Sequence, residues 1–157
     1  MRIELDPAPE MQKGFYELTW DCQRWQELSI IAEHLAEKFI LSNMSKELKI
    51  FARRLKTITE KNPTGNITLR GHSSEEFIAL TEASITCLQK NLFPVDLEKN
   101  VEVLKDFIKS TDRQLLETDE FHQMILRDYK DNINPVFRQI YENLNKAPWE
   151  RDLPQSE

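Results

Sequence analysis

The sequence predicts an all-α fold, a bundle of about five helices with at most a minimal two-stranded β element at residues 2-5 and 67-70. Three observations carry this. Only three glycines occur in 157 residues, Gly14, Gly65 and Gly71, too few for the many turns of an all-β domain. Two long stretches, Phe15–Leu41 and Val95–Asn134, contain neither glycine nor proline. Within them apolar residues recur every three or four positions, the period of an amphipathic helix. The length fits one domain, with residues 1-146 as the helical body and residues 147-157 as an extended polar tail.

Taken in order, Arg2–Leu5 alternates polar and apolar residues before Pro7 and reads as a short strand or extended arm. Phe15–Leu41 reads as the first helix. Its main apolar arc holds Leu18, Cys22, Trp25, Leu28, Ala32, Leu35, Ala36 and Phe39. Trp20 falls roughly 140° from Trp25 on the helical wheel, on a second strip with Ile31. A helix apolar on two strips is covered on two sides, so Trp20 and Ile31 are candidate contacts for another helix or another chain. Asp21 falls inside the main arc, where a carboxylate is costly unless paired. Arg24, an arginine of another helix (Arg53, Arg54 or Arg127), a Trp indole N–H, or a wet helix end each satisfies it.

The second helix runs from about Lys46 to Lys61, capped by Asn43 or Ser45, with Leu48, Phe51, Ala52, Leu55 and Ile58 on one face. Asn62–Asn66 is a turn by composition, and Ile67–Arg70 a short strand ended by Gly71. Ser73-Ser74-Glu75-Glu76 has the form of a capping box with Ser73 at the N-cap, opening a helix to about Asn91 that buries Phe77, Leu80, Ser84, Cys87 and Leu88. After Phe93-Pro94, with Asp96 as a cap, a heptad-like stripe of Leu97, Val101, Leu104, Ile108, Thr111 and Leu115 marks the fourth helix. Running unbroken to Asn134 it would span about 57 Å. Thr118-Asp119-Glu120 has the chemistry of a new N-terminus and is the expected break, with Thr111 and Gln114 as a competing signal. The last helix reaches about Asn145, bent or restarted at Pro135.

Composition bounds the function. A net charge of −6 disfavours wholesale nucleic-acid or acidic-membrane binding, and no apolar run approaches the ~18 residues of a membrane span. The N-terminal MRIELDPAPE lacks the basic-then-apolar order of a signal peptide. Cys22 and Cys87 are too few and too scattered for a disulfide framework or zinc site. A cytoplasmic protein without a cofactor is the expectation.

Four carboxylates, Glu117, Glu120, Asp128 and Asp131, have the spacing that chelates magnesium in all-α nucleotide pyrophosphohydrolases or iron in ferritin-like bundles. On one helix they share an arc of roughly 80°. Phe121, Ile125, Tyr129, Ile133 and Ile140 lie opposite, which turns the acids to solvent and away from a bundle interior. His122 shares the apolar side as packing, and His34 sits on the polar side of the first helix. No nucleophile elbow or glycine-rich phosphate loop occurs.

The second helix is the one strongly basic element. Lys46, Lys49, Arg53 and Lys56 form a stripe opposite its apolar face, joined by Arg54 and Lys61, with only Glu47 and Glu60 as acids. No aromatic is interleaved for base stacking.

The sequence therefore favours a small acidic helical-bundle interaction protein, of the regulator, inhibitor, immunity or phage-accessory kind, that performs no chemistry. Its candidate contacts are Trp20, Ile31, Lys46, Lys49, Arg53 and Lys56, and its partner a protein or a second copy of itself, with a homodimer compatible. Two alternatives stand beside it: a metal-dependent pyrophosphohydrolase-type enzyme using the carboxylate cluster, and a nucleic-acid accessory protein using the basic second helix.

Overall fold

The computed structural model describes residues 2–4, 15–72, 74–131 and 133–151. In chain order the elements are β1 (Arg2–Glu4), β2 (Phe15–Asp21), α1 (Cys22–Lys38), α2 (Met44–Lys61), β3 (Asn66–His72), α3 (Glu75–Lys90), α4 (Glu98–Thr118), α5 (Glu120–Asp128) and α6 (Pro135–Asn145). Single 3-10 turns at Val95–Leu97 and Pro148–Glu150 flank the second half. The all-α expectation with a minimal sheet holds, and the sheet has one strand more than the sequence predicted.

That strand is β2. Phe15–Asp21 is not the first two turns of a helix but a strand, antiparallel to β3 with Leu18 opposite Leu69 and Trp20 opposite Ile67. β1 runs parallel to β3 on the other side, Ile3 opposite Leu69, so β3 is central. The pattern that decides it is a period of two: Tyr16, Leu18 and Trp20 turn inward while Thr19 and Asp21 are exposed. Tyr, Thr and Trp are strand formers on a half-buried surface. The outer face is polar, where the Thr19 and Thr68 hydroxyls hydrogen-bond at 2.6 Å. The sheet thus has one core face and one wet face.

The inner face carries Tyr16, Leu18, Ile67 and Leu69 onto α1 and α4, where Trp25, Leu28, Phe51, Leu80 and Phe107 complete a single core. Phe107 lies at its centre, 5.7 Å from the Tyr16 ring and 6.0 Å from Phe51, measured between centroids. Three buried hydroxyls return to backbone within their own helices, Ser84 donating to the Leu80 carbonyl, Thr111 to Phe107 and Thr59 to Leu55, while Ser45 of α2 donates across to the Ala36 carbonyl of α1. Leu104, Ile108 and Thr111, the middle of the heptad-like stripe, are all buried by this chain.

Helix ends follow local chemistry. Ser74 caps α3 through the Phe77 N–H, one residue later than expected, and Ser73 lies outside the described residues. Asn91 closes α3 in the left-handed region, a conformation asparagine tolerates. Asp119 ends α4 and caps α5 by accepting from the Phe121 and His122 N–H groups, so the expected break is where the acids are. Asn134 caps α6, with Pro135 in its first turn.

Residues 147–151 dock rather than extend. Pro148 is buried, Trp149 packs against the core, and Arg151 forks onto Asp112 at 2.7 and 2.6 Å. Arg151 also donates to the Asn143 and Leu144 carbonyls, where a cation meets the negative end of α6. Residues 152–157 lie outside the described residues.

Candidate interaction surface

The segment from Trp20 to Trp25 is a strand-to-helix corner, and this resolves how two tryptophans five residues apart are covered. The chain turns at Asp21, which is exposed and accepts from the Arg24 N–H at 2.9 Å as the N-cap of α1. Asp21 is therefore a helix-end carboxylate and not an acid in the apolar arc. The turn folds the Trp20 ring back over Trp25, centroids 4.7 Å apart. Trp25 is fully buried and donates its indole N–H to the Ile67 carbonyl at 2.9 Å. The Arg24 guanidinium lies 4.4 Å over the Trp20 ring while bonding Asp106 at 2.7 Å.

Trp20 is half-buried under cover from its own chain. Ile31 has 0% of its surface exposed, because α1 is sandwiched between α2 and α4. The helical-wheel strip that joined these two residues dissolves once Trp20 belongs to a strand. Neither offers the free apolar face the sequence pointed to.

The basic stripe is the part of the predicted surface that the structure assembles. Lys46, Lys49, Arg53 and Lys56 are all exposed along α2. None of the four side chains makes a hydrogen bond or ion pair with the described residues. They line two adjoining grooves. One, between α1 and α2, places Glu33 and Glu37 beside Lys49, Arg53 and Lys56. The other, at the α1–α2 turn, places Ile40 and Ile50 beside Lys46 and Lys49. No aromatic side chain lines either groove. Arg54, by contrast, is engaged with Glu76 of α3 at 3.2 Å.

The four carboxylates do not share one helix. Glu117 ends α4, Glu120 and Asp128 open and close α5, and Asp131 follows it, all exposed. Asp128 is held by the adjacent Arg127 guanidinium, whose hydrogen bond lowers its pKa below the usual carboxylate range. Among the described residues no three His, Cys, Asp or Glu side chains come together to hold a metal. His122 lies half-buried with Nδ1 3.4 Å from Asp119 Oδ2, a contact longer than a good hydrogen bond. His34 is not on a solvated face: it packs 6.3 Å from the Phe93 ring with its Nε2 buried.

The sequence reading missed the α5–α6 arm. The apolar residues opposite the carboxylates were expected to face the bundle, yet of Phe121, Ile125, Tyr129, Ile133 and Ile140 only Ile125 is buried. Ile133 is 96% exposed, and Phe121 and Val136 are exposed as well. Helix α6 buries no residue at all, although Val136, Phe137, Ile140, Tyr141 and Leu144 have the spacing of one helical face. Tyr129 stacks on Phe137 at 4.4 Å, tying the two helices of the arm to each other. The available signal was the pair of breaks at Asp119 and Pro135, which leave two short helices instead of one long one anchored along the body.

No helix among the described residues is long and apolar enough to cross a membrane. Comparison with protein-family models, curated proteins and solved structures gives no match.

Proposed function

We propose that this protein works by binding a macromolecular partner and performs no chemistry of its own, with the exposed basic face of α2 as the docking surface. The observation that carries this reading is the row Lys46, Lys49, Arg53 and Lys56, four exposed cations with no partner among the described residues on a chain of net charge −6. Unpaired like charges in a row repel one another and are relieved by an acidic surface laid against them.

An acidic protein surface fits better than a nucleic acid. Glu33 and Glu37 intrude among the cations and would repel a phosphate backbone, while carboxylates of this kind meet scattered lysines on a protein of mixed charge. The lack of an aromatic lining withholds the stacking that single-stranded nucleic acid needs. Two buried free thiols, Cys22 and Cys87, support a reducing, cytoplasmic setting.

The test is affinity capture with purified wild type and a variant carrying Lys46→Ala, Lys49→Ala, Arg53→Ala and Lys56→Ala. The variant keeps its circular dichroism spectrum, since no hydrogen bond or ion pair among the described residues is removed, and loses a salt-sensitive partner that the wild type retains. An identical set of bound proteins on both columns refutes the α2 reading.

A further inference from the structure

Two exposed surfaces of this chain combine apolar side chains with charge, and the unpaired charges they carry are mainly of opposite sign. At the α1–α2 turn, Ile40 stands beside Lys46 and Lys49, and the next residue, Leu41, is fully exposed. On the α5–α6 arm, Phe121 follows Glu120, with Glu117 one turn earlier, and Ile133 follows Asp131 by two positions. Glu117, Glu120 and Asp131 make no hydrogen bond or ion pair with the described residues. Among the described residues the arm's other cations, Arg127 and Arg138, are paired with Asp128 and Glu142, which leaves Lys130 as its unpaired cation. Apolar patches rimmed by charge are the form of an association surface.

The two surfaces cannot meet within one chain. Helix α1 starts directly after β2 and ends at the α1–α2 turn, 17 residues later, a rise of about 25 Å. Helix α4 runs the other way, from Asn100 at the Glu27 carbonyl, through Asp106 at Arg24, to Gln114 at Glu17 in β2. After the break at Asp119, α5 stays at the C-terminal end of α4, where the Gln123 amide donates to the Leu116 carbonyl, and Arg151 ties the end of α6 to Asp112. The basic turn and the acidic arm therefore sit at opposite ends of the body.

Pairing either surface with its own copy brings like charge against like, which costs association. Pairing one with the other satisfies both at once. We propose that the protein self-associates head to tail, the basic α1–α2 end of one copy receiving the acidic α5–α6 arm of the next. This rests on the reading of α2 as a docking face and names a second copy as its occupant. The contact is heterologous, so it propagates into a ring or an open chain and does not stop at a two-fold dimer.

Static light scattering on the purified full chain tests it. At low salt the mass rises above the monomer as concentration increases, and falls back as salt screens the charges. A basic-end variant (Lys46→Ala, Lys49→Ala, Arg53→Ala) and an arm variant (Glu117→Gln, Glu120→Gln, Asp131→Asn) each self-associate about tenfold more weakly or worse, a loss worth one 1.4 kcal/mol step. Mixed in equal amounts, the two give a one-to-one dimer and nothing larger, because each retains one working surface. Leu41→Ser weakens association without altering charge. Self-association is overturned by a wild type that stays monomeric at every concentration, by variants that associate like the wild type, or by a mixture that stays monomeric. A monomeric wild type that still loses an acidic partner when its α2 cations are replaced overturns the second copy and leaves the docking face standing.

Discussion

The side chain of Gln114 holds the backbone of Glu17 by both of its polar groups. Its Oε1 accepts from the Glu17 N–H at 2.7 Å and its Nε2 donates to the Glu17 carbonyl at 3.0 Å. The primary amide of a helix thus occupies the place of a neighbouring strand at the open edge of β2, which α4 covers. Edge strands with unpaired N–H and C=O groups recruit other chains, and here the recruitment site is filled from within.

Gln114→Ala leaves both Glu17 groups without that partner and is expected to lower stability by about 1–3 kcal/mol. Urea denaturation reads this as a drop in midpoint at unchanged slope. Gln114→Asn, one methylene shorter, does not restore it. A midpoint equal to wild type in Gln114→Ala would mean that water substitutes fully for the amide.

Trp20 is expected to behave as a structural residue. Its ring contacts Trp25, Phe107 and the Arg24 guanidinium, so Trp20→Ala costs about 2 kcal/mol from lost burial and ring pairing. Trp20→Phe recovers more than half of this. Thermal denaturation followed by circular dichroism decides the matter, and an unshifted Trp20→Ala melting curve contradicts the corner described above.

Arg151 fastens α6 to α4, since one guanidinium bonds Asp112 twice and two α6 carbonyls besides. Both partners of the pair are largely shielded from solvent. Arg151→Ala is expected to cost about 1.5–3 kcal/mol and to make Pro135–Asn145 the first site of limited proteolysis. Arg151→Lys does not rescue, because an ammonium cannot reproduce the planar fork. Cleavage at the wild-type rate in both variants argues that α6 is held by its contacts with α5 alone.

Cys87 supplies a pH dependence. Burial raises its thiol pKa above the ordinary range, and the nearby charges of Lys38 and Lys90 only partly offset this. Below the ordinary thiol pKa the folded and unfolded chains both keep the proton. Above it the unfolded thiol ionises while the folded one does not, so the unfolded state gains and stability falls with rising pH. Cys87→Ala removes that component. The difference between wild-type and Cys87→Ala stability, measured against pH, is expected to be flat below the ordinary thiol range and to narrow above it. A constant difference throughout shows that the thiol does not titrate differently in the two states.

The helical half of the fold was legible because its signals are local. Leu48, Phe51, Leu55 and the acids at Thr118-Asp119-Glu120 report on their own turn of helix, and α2 and the α4–α5 break fall where they place them. β2 was misread because Leu18, Cys22 and Trp25 continue the helical arc of α1 backwards by chance. What tips Phe15–Asp21 to a strand is β3, a partner 45 or more residues away that no local window contains. The basic stripe could be read because surface charge needs only a helical period. The exposed arm could not, since whether an amphipathic face is covered depends on what the rest of the chain has left to cover it.

The sheet order β1-β3-β2 sets a schedule for folding. β1 and β2 are consecutive along the chain yet do not pair with each other, and each waits for β3 as its partner. No hairpin can start the sheet. The α1–α2 pair, close in sequence and the most extensive contact between elements, is the natural first structure, because short loops close at the least entropic expense. Once formed, it delivers β3 back to the β2 end, as the bond from the Cys22 N–H to the Gly65 carbonyl records. Sheet assembly is therefore a late event gated by helix pairing, and substitutions at the α1–α2 contact slow folding while those in β1 chiefly hasten unfolding.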